Sequence, residues 1–340
     1  MRDMTLITCT GYGGTGSSVV SDLFKEYNKV KSTGDFEFSL AHEVDGISDL
    51  QHHIVDDFNR LKTTEGLYRF KKLTESVSKH YSPFFNGRFD EIIDKYLNSL
   101  TGVKWQGFWH QHIRRAPLLT RYLTYIIPNI VMGIIGKYIH DNKGYESRIW
   151  MRRKEMILSY GADNFFKATQ SMFDDLTNEL VKGEDDRYLV MDQLVPPYST
   201  QRYINYFSNI KIIVIDRDPR DLYLLNKLFW NEGWIPSNDI DAFIKWFGLI
   251  REHRKFEKDN EEKVLRIQFE DLVLDYENAI DRIEKFIGID SADHVRPRTF
   301  FNPDFSIRNM RLWEKYAVNQ EDIKKIEENL SEYCYYQNGL

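Results

Sequence analysis

A glycine-rich segment near the start of the chain carries residues that can bind a phosphate or a sulfate. Residues 9–20 read CTGYGGTGSSVV, with the P-loop spacing of a glycine, four residues, a second glycine and two serines. Glycines let the backbone turn so that successive N–H groups face one anion, and Thr15, Ser17 and Ser18 add hydroxyl donors. Ser17 stands where a nucleotide-hydrolysing P-loop carries its lysine. The pattern predicts an anion site without that lysine, against the alternative of a glycine-rich turn that binds nothing.

A second group of candidate residues follows the most apolar strand-like segment. That segment, 210–216, reads IKIIVID and continues into RDPRDLYLLNK (217–227). Arg217 stands at the C-terminal edge of the predicted sheet, where ligands of open α/β sheets bind. A guanidinium there can hold a phosphate through two parallel hydrogen bonds. The alternative is that Arg217 and Arg220 simply pair with the neighbouring aspartates, and the local sequence leaves both open.

The strands and helices that must position these residues alternate along the chain. Apolar strands that alternate with helices predict a parallel sheet covered on both faces. In the region from about residue 45 to residue 185, apolar residues recur at intervals of three and four positions, as in 89–100. This spacing predicts mostly helix. We expect one α/β domain over 1–340, a three-layer P-loop-type parallel sheet flanked by helices with a large helical insertion at 45–185. The predicted strands lie at 4–10, 35–41, 187–192, 210–216 and 263–272.

Composition limits the classes of partner and compartment. A net charge of −6 over 340 residues argues against a general nucleic-acid binder. Two cysteines, Cys9 and Cys334, lie at opposite ends of the chain and form neither a disulfide framework nor a zinc site. The first residues lead directly into a strand and leave no room for a signal peptide. We therefore expect a protein of the reducing cytoplasm.

One apolar segment complicates this interpretation. Residues 122–136 read YLTYIIPNIVMGIIG and carry no charge. The segment is shorter than the ~20 residues that span a bilayer, and Pro128, Gly133 and Gly136 interrupt it. We expect a buried helical hairpin or the wall of an acceptor pocket, with contact to a membrane surface as the alternative.

Two groups of histidines are candidate metal ligands. His52 and His53 are adjacent, and residues 109–115 read WHQHIRR. No carboxylate or cysteine accompanies them at the spacing of a metal site. Solvated helix faces are therefore favoured, and no metal is expected.

The order of these motifs resembles that of the sulfotransferases, which use 3′-phosphoadenosine 5′-phosphosulfate (PAPS) as donor. The resemblance joins the glycine-rich loop, the RDPRD after an apolar strand, FEDL (269–272) before IEKFIGI (283–289), and the late loop SIRNMRLW (306–313). It covers residues 5–40 and 187–315. It implies a fold related to that of nucleotide kinases.

The resemblance also implies where the donor binds. Arg217 would hold the 3′-phosphate, which distinguishes PAPS from ATP. A family serine that shares this phosphate falls at Leu225, so Asn226 beside it is the candidate here. The late loop offers Arg308 and Arg311, with Ser306 as a weaker candidate. The 5′-phosphosulfate would bind in the first loop, at Gly13, Gly14, Thr15, Gly16, Ser17 and Ser18.

The family loop usually carries a lysine or arginine that stabilises the leaving phosphate, and Gly14 stands at that position. Transfer needs such charge stabilisation, as phosphoryl transfer does. Either backbone amides and the helix dipole supply it, or a basic residue reaches in from elsewhere, or the protein is inactive. The candidate basic residues are Arg152, Arg153, Lys154 and Lys167.

Transfer to a hydroxyl also needs a base to accept its proton. The resemblance implies that a Glu or His on the strand after the first helix accepts this proton. The corresponding segment of this chain offers Asp35, Glu37 and His42. Glu37 is the first choice and Asp192, which ends YLVMD, is the second. Aromatic residues of the insertion are expected to shape the acceptor site.

Three functions remain open on this sequence. The favoured one is a PAPS-dependent sulfotransferase acting on a hydroxyl of a glycan, a lipid or a small molecule. The second is a P-loop kinase or NTPase using Mg-ATP, because the strands ending at Asp192 and Asp216 resemble those that end in a magnesium-binding aspartate. The third is an inactive nucleotide-binding protein.

Overall fold

A computed structural model describes residues 4–108, 113, 116–139, 153–160, 162–181, 185–316 and 320–336. Five of the strands form one sheet in the order β2-β5-β1-β6-β7, with every neighbouring pair parallel. A separate antiparallel pair is formed by β3 and β4. The strands are β1 (Thr5–Gly11), β2 (Val30–Glu37), β3 (Val103–Gly107), β4 (Lys154–Leu158), β5 (Tyr188–Asp192), β6 (Ile210–Asp216) and β7 (Val264–Gln268).

Helices cover the sheet on both faces, and the alternation of side chains along the strands explains why. Ile212 and Val214 of β6 face one hydrophobic core, while Ile213 and Ile215 face the other. Both faces of a strand must then be apolar, which produces the continuous apolar runs seen in the sequence. The three-layer α/β fold with a parallel sheet is confirmed.

The α-helices have the following bounds. They are α1 (Ser17–Leu23), α2 (Ile47–Gln51), α3 (Arg60–Tyr81), α4 (Phe89–Leu100), α5 (118–139, with a π-helical turn at Tyr122–Ile126), α6 (Ala162–Leu180), α7 (Thr200–Ile204), α8 (Pro219–Leu225), α9 (Ile240–Arg251), α10 (Phe269–Leu274), α11 (Tyr276–Ile287), α12 (Pro303–Ser306), α13 (Leu312–Lys315) and α14 (Gln320–Leu330).

The region predicted as a helical insertion, 45–185, contains α2 to α6 and also the β3-β4 pair. Helices α2, α3, α4 and α6 of this region pack on one face of the sheet, whereas α5 contributes no residue to that core. Phe38, just after β2, contacts the rings of Phe85, Phe89 and Phe173. This region therefore shares a core with the sheet rather than building a separate one.

Two predicted features of the chain are wrong in detail. The second strand was expected at 35–41, but β2 ends at Glu37 and begins at Val30. The segment 122–136 was expected to be buried, but it lies in α5, and the window Leu118–Ile135 has 0% of its residues buried among the described part of the chain. By length and composition alone this helix is long and apolar enough to cross a membrane.

Candidate functional site

The candidate site is a cavity of about 590 Å³ at the carboxyl edge of the sheet. Residues that follow each of the five parallel strands line it, as expected for ligand sites in open α/β folds. None of its described lining residues comes from the insertion expected to shape an acceptor site. The lining residues are Gly11, Gly13, Gly14, Gly16, Ser17, Ser18, Val19, Glu37, Ser39, His42, Asp192, Gln193, Arg217, Trp230, Trp234, Phe269, Ser306 and Asn309.

The glycine-rich loop lies between β1 and α1 and needs its glycines. Gly13, Gly14 and Gly16 have φ values of 89°, 66° and 99°, in the left-handed region that other residues rarely adopt. Neighbouring rings also leave no room for side chains. A Cβ at Gly13 would lie 2.1 Å from the ring of Trp234, and one at Gly14 would lie 2.9 Å from the ring of Trp230. Two indoles therefore pack directly on the loop backbone.

The loop offers polar donors to a ligand. No side chain caps α1, and the Val19 N–H of its first turn donates to the Gly16 oxygen at 3.1 Å, so the N–H groups of Ser17 and Ser18 are the ones left for a ligand. The Thr15 hydroxyl, predicted as a donor, is buried without a hydrogen-bond partner, but Thr15 does not line the cavity. Ser17 accepts a hydrogen bond from the Gln193 amide at 3.1 Å, which leaves its own hydrogen free to donate. This is the donor set that an anion requires.

Arg217 lies in the same cavity, at the end of β6, and its guanidinium is buried (3% exposed). It stacks on the ring of Phe269 at 4.2 Å and donates to the backbone oxygen of Asn309 at 2.5 Å. Its Nε has no partner, and no carboxylate of the described residues lies within 4 Å of it. Burial lowers the pKa of this guanidinium. A buried cation without an ion-pair partner in direct contact is costly, so the site favours an anionic ligand.

The neighbouring acidic residues form no ion pair with Arg217, although the charge of buried Asp221 partly offsets the effect of burial on the pKa of its guanidinium. Asp218 instead pairs with Arg220, whose guanidinium lies 2.6 Å away. Glu270 is buried, and its burial, together with the charge of Asp218, raises its pKa to about 8. Glu270 is therefore largely protonated at neutral pH. Of the two interpretations left open by the sequence, ion pairing describes Arg220 and a ligand-facing position describes Arg217.

A hydrogen-bond network centred on Gln193 connects the loop to His42. Gln193 follows β5 in a left-handed conformation (φ 57°). Its side chain accepts from Thr10 and donates to Ser17, and its backbone oxygen lies 2.8 Å from His42 Nε2. A carbonyl only accepts, so Nε2 carries the proton and Nδ1 of the neutral ring is the free acceptor. Burial lowers the pKa of His42, which favours that neutral ring.

The two carboxylates predicted as bases both line the cavity. Glu37 and Asp192 are partners in the register of β2 and β5. Glu37 is exposed, and no hydrogen bond or ion pair within the described chain holds it. Asp192 is buried and accepts from the backbone N–H of Gln193 at 3.1 Å. Their predicted catalytic roles stay predictions. The side chain of Asp35 lies outside the described residues.

Asn226, Arg308 and Arg311, expected at the 3′-phosphate, do not line the cavity among the described residues. The Asn226 amide is committed to Glu232, Ile235 and Ser237, which fixes the loop after α8. Arg308 is exposed and donates to the backbone oxygen of Phe305. Arg311 donates its backbone N–H to Asp221. The late loop contributes Ser306 and Asn309 instead.

Arg217 is the only Lys or Arg among the described lining residues, so the basic residues expected to replace the loop lysine do not do so here. Lys154 lies 5.9 Å from the ring of Tyr68, in a different cavity. Lys167 lines a third cavity beside α4. Arg153 is exposed on the approach to β4, and Arg152 lies outside the described residues.

Of the two aspartates, Asp192 and Asp216, that an ATP-using enzyme would offer to magnesium, Asp216 is already paired with arginines. The Asp216 carboxylate accepts from Arg251 at 2.6 Å and from Arg254 at 3.1 Å. Among the described residues no group of three His, Cys, Asp or Glu is placed to hold a metal ion. His52 and His53 lie at the end of α2, and residues 109–112, 114 and 115 lie outside the described chain.

Sequence reasoning missed several lining residues, among them Gln193, Asn309, Trp230 and Trp234. Gln193 and Asn309 belong to segments that the sequence had already placed at the site, the end of β5 and the late loop. Because ligands of open α/β sheets bind at the carboxyl ends of the strands, the sequence could have indicated both residues. Trp230 and Trp234 follow α8 in the segment LFWNEGW. No local pattern indicates that their rings fold back onto a loop more than 200 residues earlier.

Comparison with known proteins agrees with this site. Residues 136–293, just under half of the chain, match the sulfotransferase family model. The matched stretch contains Gln193, Arg217 and Phe269 but excludes the glycine-rich loop and His42. The resemblance to sulfotransferases is thereby confirmed, and the match supports sulfuryl transfer as the general class of reaction. A search of curated proteins finds no match to the sequence.

Several solved structures overlap with the chain at low identity. The sulfotransferase domain of the Synechococcus PCC 7002 olefin synthase is 11% identical, covers 99% of this chain and 97% of its own, and has a TM-score of 0.39. The sulfotransferase domain of the curacin biosynthetic pathway is 12% identical, with coverages of 97% and 98% and a TM-score of 0.37. Retinol dehydratase, solved with androsterone and the inactive cofactor PAP, is 12% identical, with coverages of 100% and 84% and a TM-score of 0.35.

Proposed function

We propose that this protein transfers the sulfuryl group of PAPS to a hydroxyl of a glycan, a lipid or a small molecule. The observation that carries the proposal is the buried guanidinium of Arg217, which has no carboxylate partner and shares one cavity with the glycine-rich loop. Two separate anion sites in one cavity match a ligand with phosphates at both ends. ATP has its phosphates in a single chain and would leave Arg217 unpaired.

The residues present fit such a donor. The Ser17 hydroxyl and the backbone N–H groups of Ser17 and Ser18 suit the 5′-phosphosulfate. Arg217 suits the 3′-phosphate. The exposed faces of Trp230 and Trp234 beside the loop offer an apolar surface for the acceptor.

The chemistry then needs one bond to form and one to break. The acceptor oxygen forms a bond to sulfur, and the bond from sulfur to the bridging phosphate oxygen breaks. The acceptor proton leaves to a base, and the negative charge of the leaving group stays on the phosphate. Because Gly14 replaces the usual cation, we propose that the loop N–H groups and hydroxyls stabilise that charge.

For the base we propose His42. Its Nε2 is held by Gln193, its neutral ring leaves Nδ1 as an acceptor, and the residue lines the cavity. A neutral imidazole can accept the proton of a hydroxyl in general-base catalysis. Glu37, at the same wall of the cavity, is the alternative base. Matched Gln variants of the two residues distinguish them.

The cellular setting proposed is the cytoplasm. Cys9 and Cys334 are both buried and unpaired. Free thiols of this kind are typical of proteins in a reducing compartment.

Thermal-shift titration with 3′-phosphoadenosine 5′-phosphate (PAP), ADP and ATP, each with and without Mg²⁺, tests the donor. A ligand at 100 times its Kd adds about 2.7 kcal/mol to the free energy of unfolding. We expect this stabilisation from PAP without a metal, and a much smaller one from ADP, which lacks the 3′-phosphate. Stabilisation by Mg-ATP but not by PAP would refute the proposal and favour a kinase or NTPase. PAP binding without sulfuryl transfer to any acceptor would indicate an inactive binding protein.

A further inference from the structure

Helix α5 is exposed on every side and carries a wide apolar surface. Ile130, Val131, Met132, Ile134 and Ile135 are each between 40% and 57% exposed. Successive residues of an α-helix are about 100° apart, so these five side chains span about 200° of the helix, and Gly133 on the remaining side is exposed too. A helix that docks on one protein partner needs only a narrower apolar stripe. An apolar surface of this width is typical of a helix in contact with other apolar material over most of its circumference.

Two polar side chains of α5 bond to the backbone of the helix itself. The Thr124 hydroxyl donates to the backbone oxygen of Thr120 at 2.7 Å. The Asn129 amide donates to the backbone oxygen of Tyr125 at 2.7 Å. Pro128 has no N–H to satisfy. These arrangements lower the cost of placing these groups away from water.

The sequence around α5 has the opposite charge to the rest of the protein. Residues 108–154 contain nine Lys or Arg and two Asp or Glu, a net charge of +7 in a chain whose total is −6. No acidic residue lies between 116 and 139, and Arg121 and Lys137 stand near the ends of the helix. Basic segments beside an apolar helix are attracted to anionic lipid headgroups.

The pairing of β3 with β4 decides how this helix can meet a bilayer. Gly107 pairs with Lys154, so the chain leaves for α5 and returns from it at the same place. A helix of 22 residues is about 33 Å long, enough to span the hydrocarbon core. The return segment, 140–153, reads HDNKGYESRIWMRR and is too polar to pass back through lipid. Both ends of α5 must therefore stay on one side of the membrane.

We propose that α5 is a monotopic anchor that inserts into one leaflet of an anionic phospholipid bilayer. This inference does not depend on sulfuryl transfer. It assigns the unpartnered apolar surface of the protein to lipid, and it places the +7 segment against the headgroups. A second copy of this chain is the competing occupant, and the experiments separate the two.

Co-sedimentation of the full-length protein with extruded vesicles tests the anchor. We compare vesicles of phosphatidylcholine alone with vesicles containing 30% phosphatidylglycerol, the working lipid composition, at low and high NaCl. We expect binding to the anionic vesicles at least tenfold stronger than to the neutral ones, with the difference falling as salt increases. No binding to either vesicle type would overturn the proposal.

The double variant Ile130→Asp/Ile134→Asp tests whether α5 is the part that inserts. Both side chains are more than half exposed, at 57% and 54%, so the fold should tolerate the change. Vesicle binding should fall at least tenfold. The matched control is Leu249→Asp/Phe256→Asp, which adds the same charge at side chains that are 67% and 80% exposed on another surface. Its binding should change less than twofold, and an equal loss in both variants would contradict insertion through α5.

Labelling determines the depth and the topology. The native Cys9 and Cys334 are buried, so single variants Leu118→Cys and Ile135→Cys can be labelled selectively with the fluorophore NBD. A monotopic anchor predicts blue-shifted emission on vesicles and complete reduction of both labels by external dithionite. Protection of one label would show a spanning helix. A dimer in sedimentation equilibrium that the α5 variant disrupts, without vesicle binding by the wild type, would assign the surface to a second copy instead.

Discussion

The two ends of the cavity offer hydrogen-bond donors by different physical means. At the loop end, Gly13 to Ser18 offer N–H groups and hydroxyls but no cation. At the other end, Arg217 offers a full charge that is buried and has no ion-pair partner in direct contact. The loop therefore depends on backbone shape, and the arginine end depends on charge.

Packing maintains the difference between the ends. Trp230 lies where a side chain at Gly14 would begin, so the loop has no room for the family's lysine. Phe269 touches both ends, because its ring stacks on Arg217 and also lies 2.8 Å from the Cβ position of Gly16. One aromatic residue thus spaces the neutral end from the charged one. We therefore expect substitutions at the loop end and substitutions at the arginine end to have different effects on turnover and stability.

The largest expected effect concerns the base beside the loop end. His42→Gln should lower turnover about 100- to 10,000-fold, the usual range for losing a general base, while PAP binding changes less than twofold. Because burial lowers the pKa of His42, the acid limb of the pH–rate profile should lie below pH 6.5. Sulfation assays across pH 5–9 with PAP titrations measure both.

Glu37→Gln is the matched control for that base. If Glu37→Gln removes turnover and His42→Gln does not, Glu37 is the base and our choice of His42 is wrong.

The second effect concerns stability at the arginine end. Glu270 has a pKa of about 8 in the folded protein against an ordinary value near 4.5, so the folded state holds a proton that the unfolded chain releases. The free energy of unfolding should therefore fall as pH rises from about 4.5 to 8, by a few kcal/mol. Glu270→Gln should remove most of this slope in urea unfolding at pH 5, 7 and 9. An unchanged slope would show that Glu270 is ionised in the folded protein.

The third effect concerns the affinity of the charged end. Arg217→Ala removes a charge-assisted contact worth about 1.5–3 kcal/mol, so PAP affinity should fall about 10- to 150-fold. Affinity for ADP should change much less, since ADP has no 3′-phosphate. Isothermal titration measures both ligands.

Arg308→Ala is the control for Arg217, because that exposed arginine lies off the cavity. It should change PAP affinity less than twofold. A larger effect would restore Arg308 to the 3′-phosphate site that the family resemblance implied.

The smallest expected effect concerns the shape of the loop end. Gly14→Ala introduces a Cβ at φ 66° and 2.9 Å from both Leu222 and Trp230. The left-handed conformation alone costs about 1–2 kcal/mol, and the contact adds to it. Gly87→Ala is the control, with a similar φ of 77° and open space around it. Equal loss of thermal stability in both variants would mean that the indole does not restrict the loop.

Local patterns predicted those elements whose burial they encode. The helix expected at 89–100 and the strand expected at 210–216 have these bounds in the structure, because their apolar periodicity reports directly on packing. The edge strand β2 was misplaced. Its sequence, VKSTGDFE, is largely polar, and its pairing with β5 includes an irregularity between Ser32 and Glu37. The apolar composition of residues 122–136 also led to a wrong expectation of burial at α5. Composition does not indicate what covers a surface.

The sequence by itself determined the parallel α/β sheet, the left-handed turn of the glycine-rich loop and the arrival of Arg217 at the sheet edge. These follow from neighbours in the chain, through glycine dihedrals, strand periodicity and the rule that strands of one direction end at one edge. Only the tertiary structure decided that Arg217 rather than Arg308 lines the cavity, that Gln193 leaves His42 Nδ1 as the acceptor, and that Trp230 packs against Gly14. Each of these depends on contacts between residues far apart in sequence, and no local pattern encodes them.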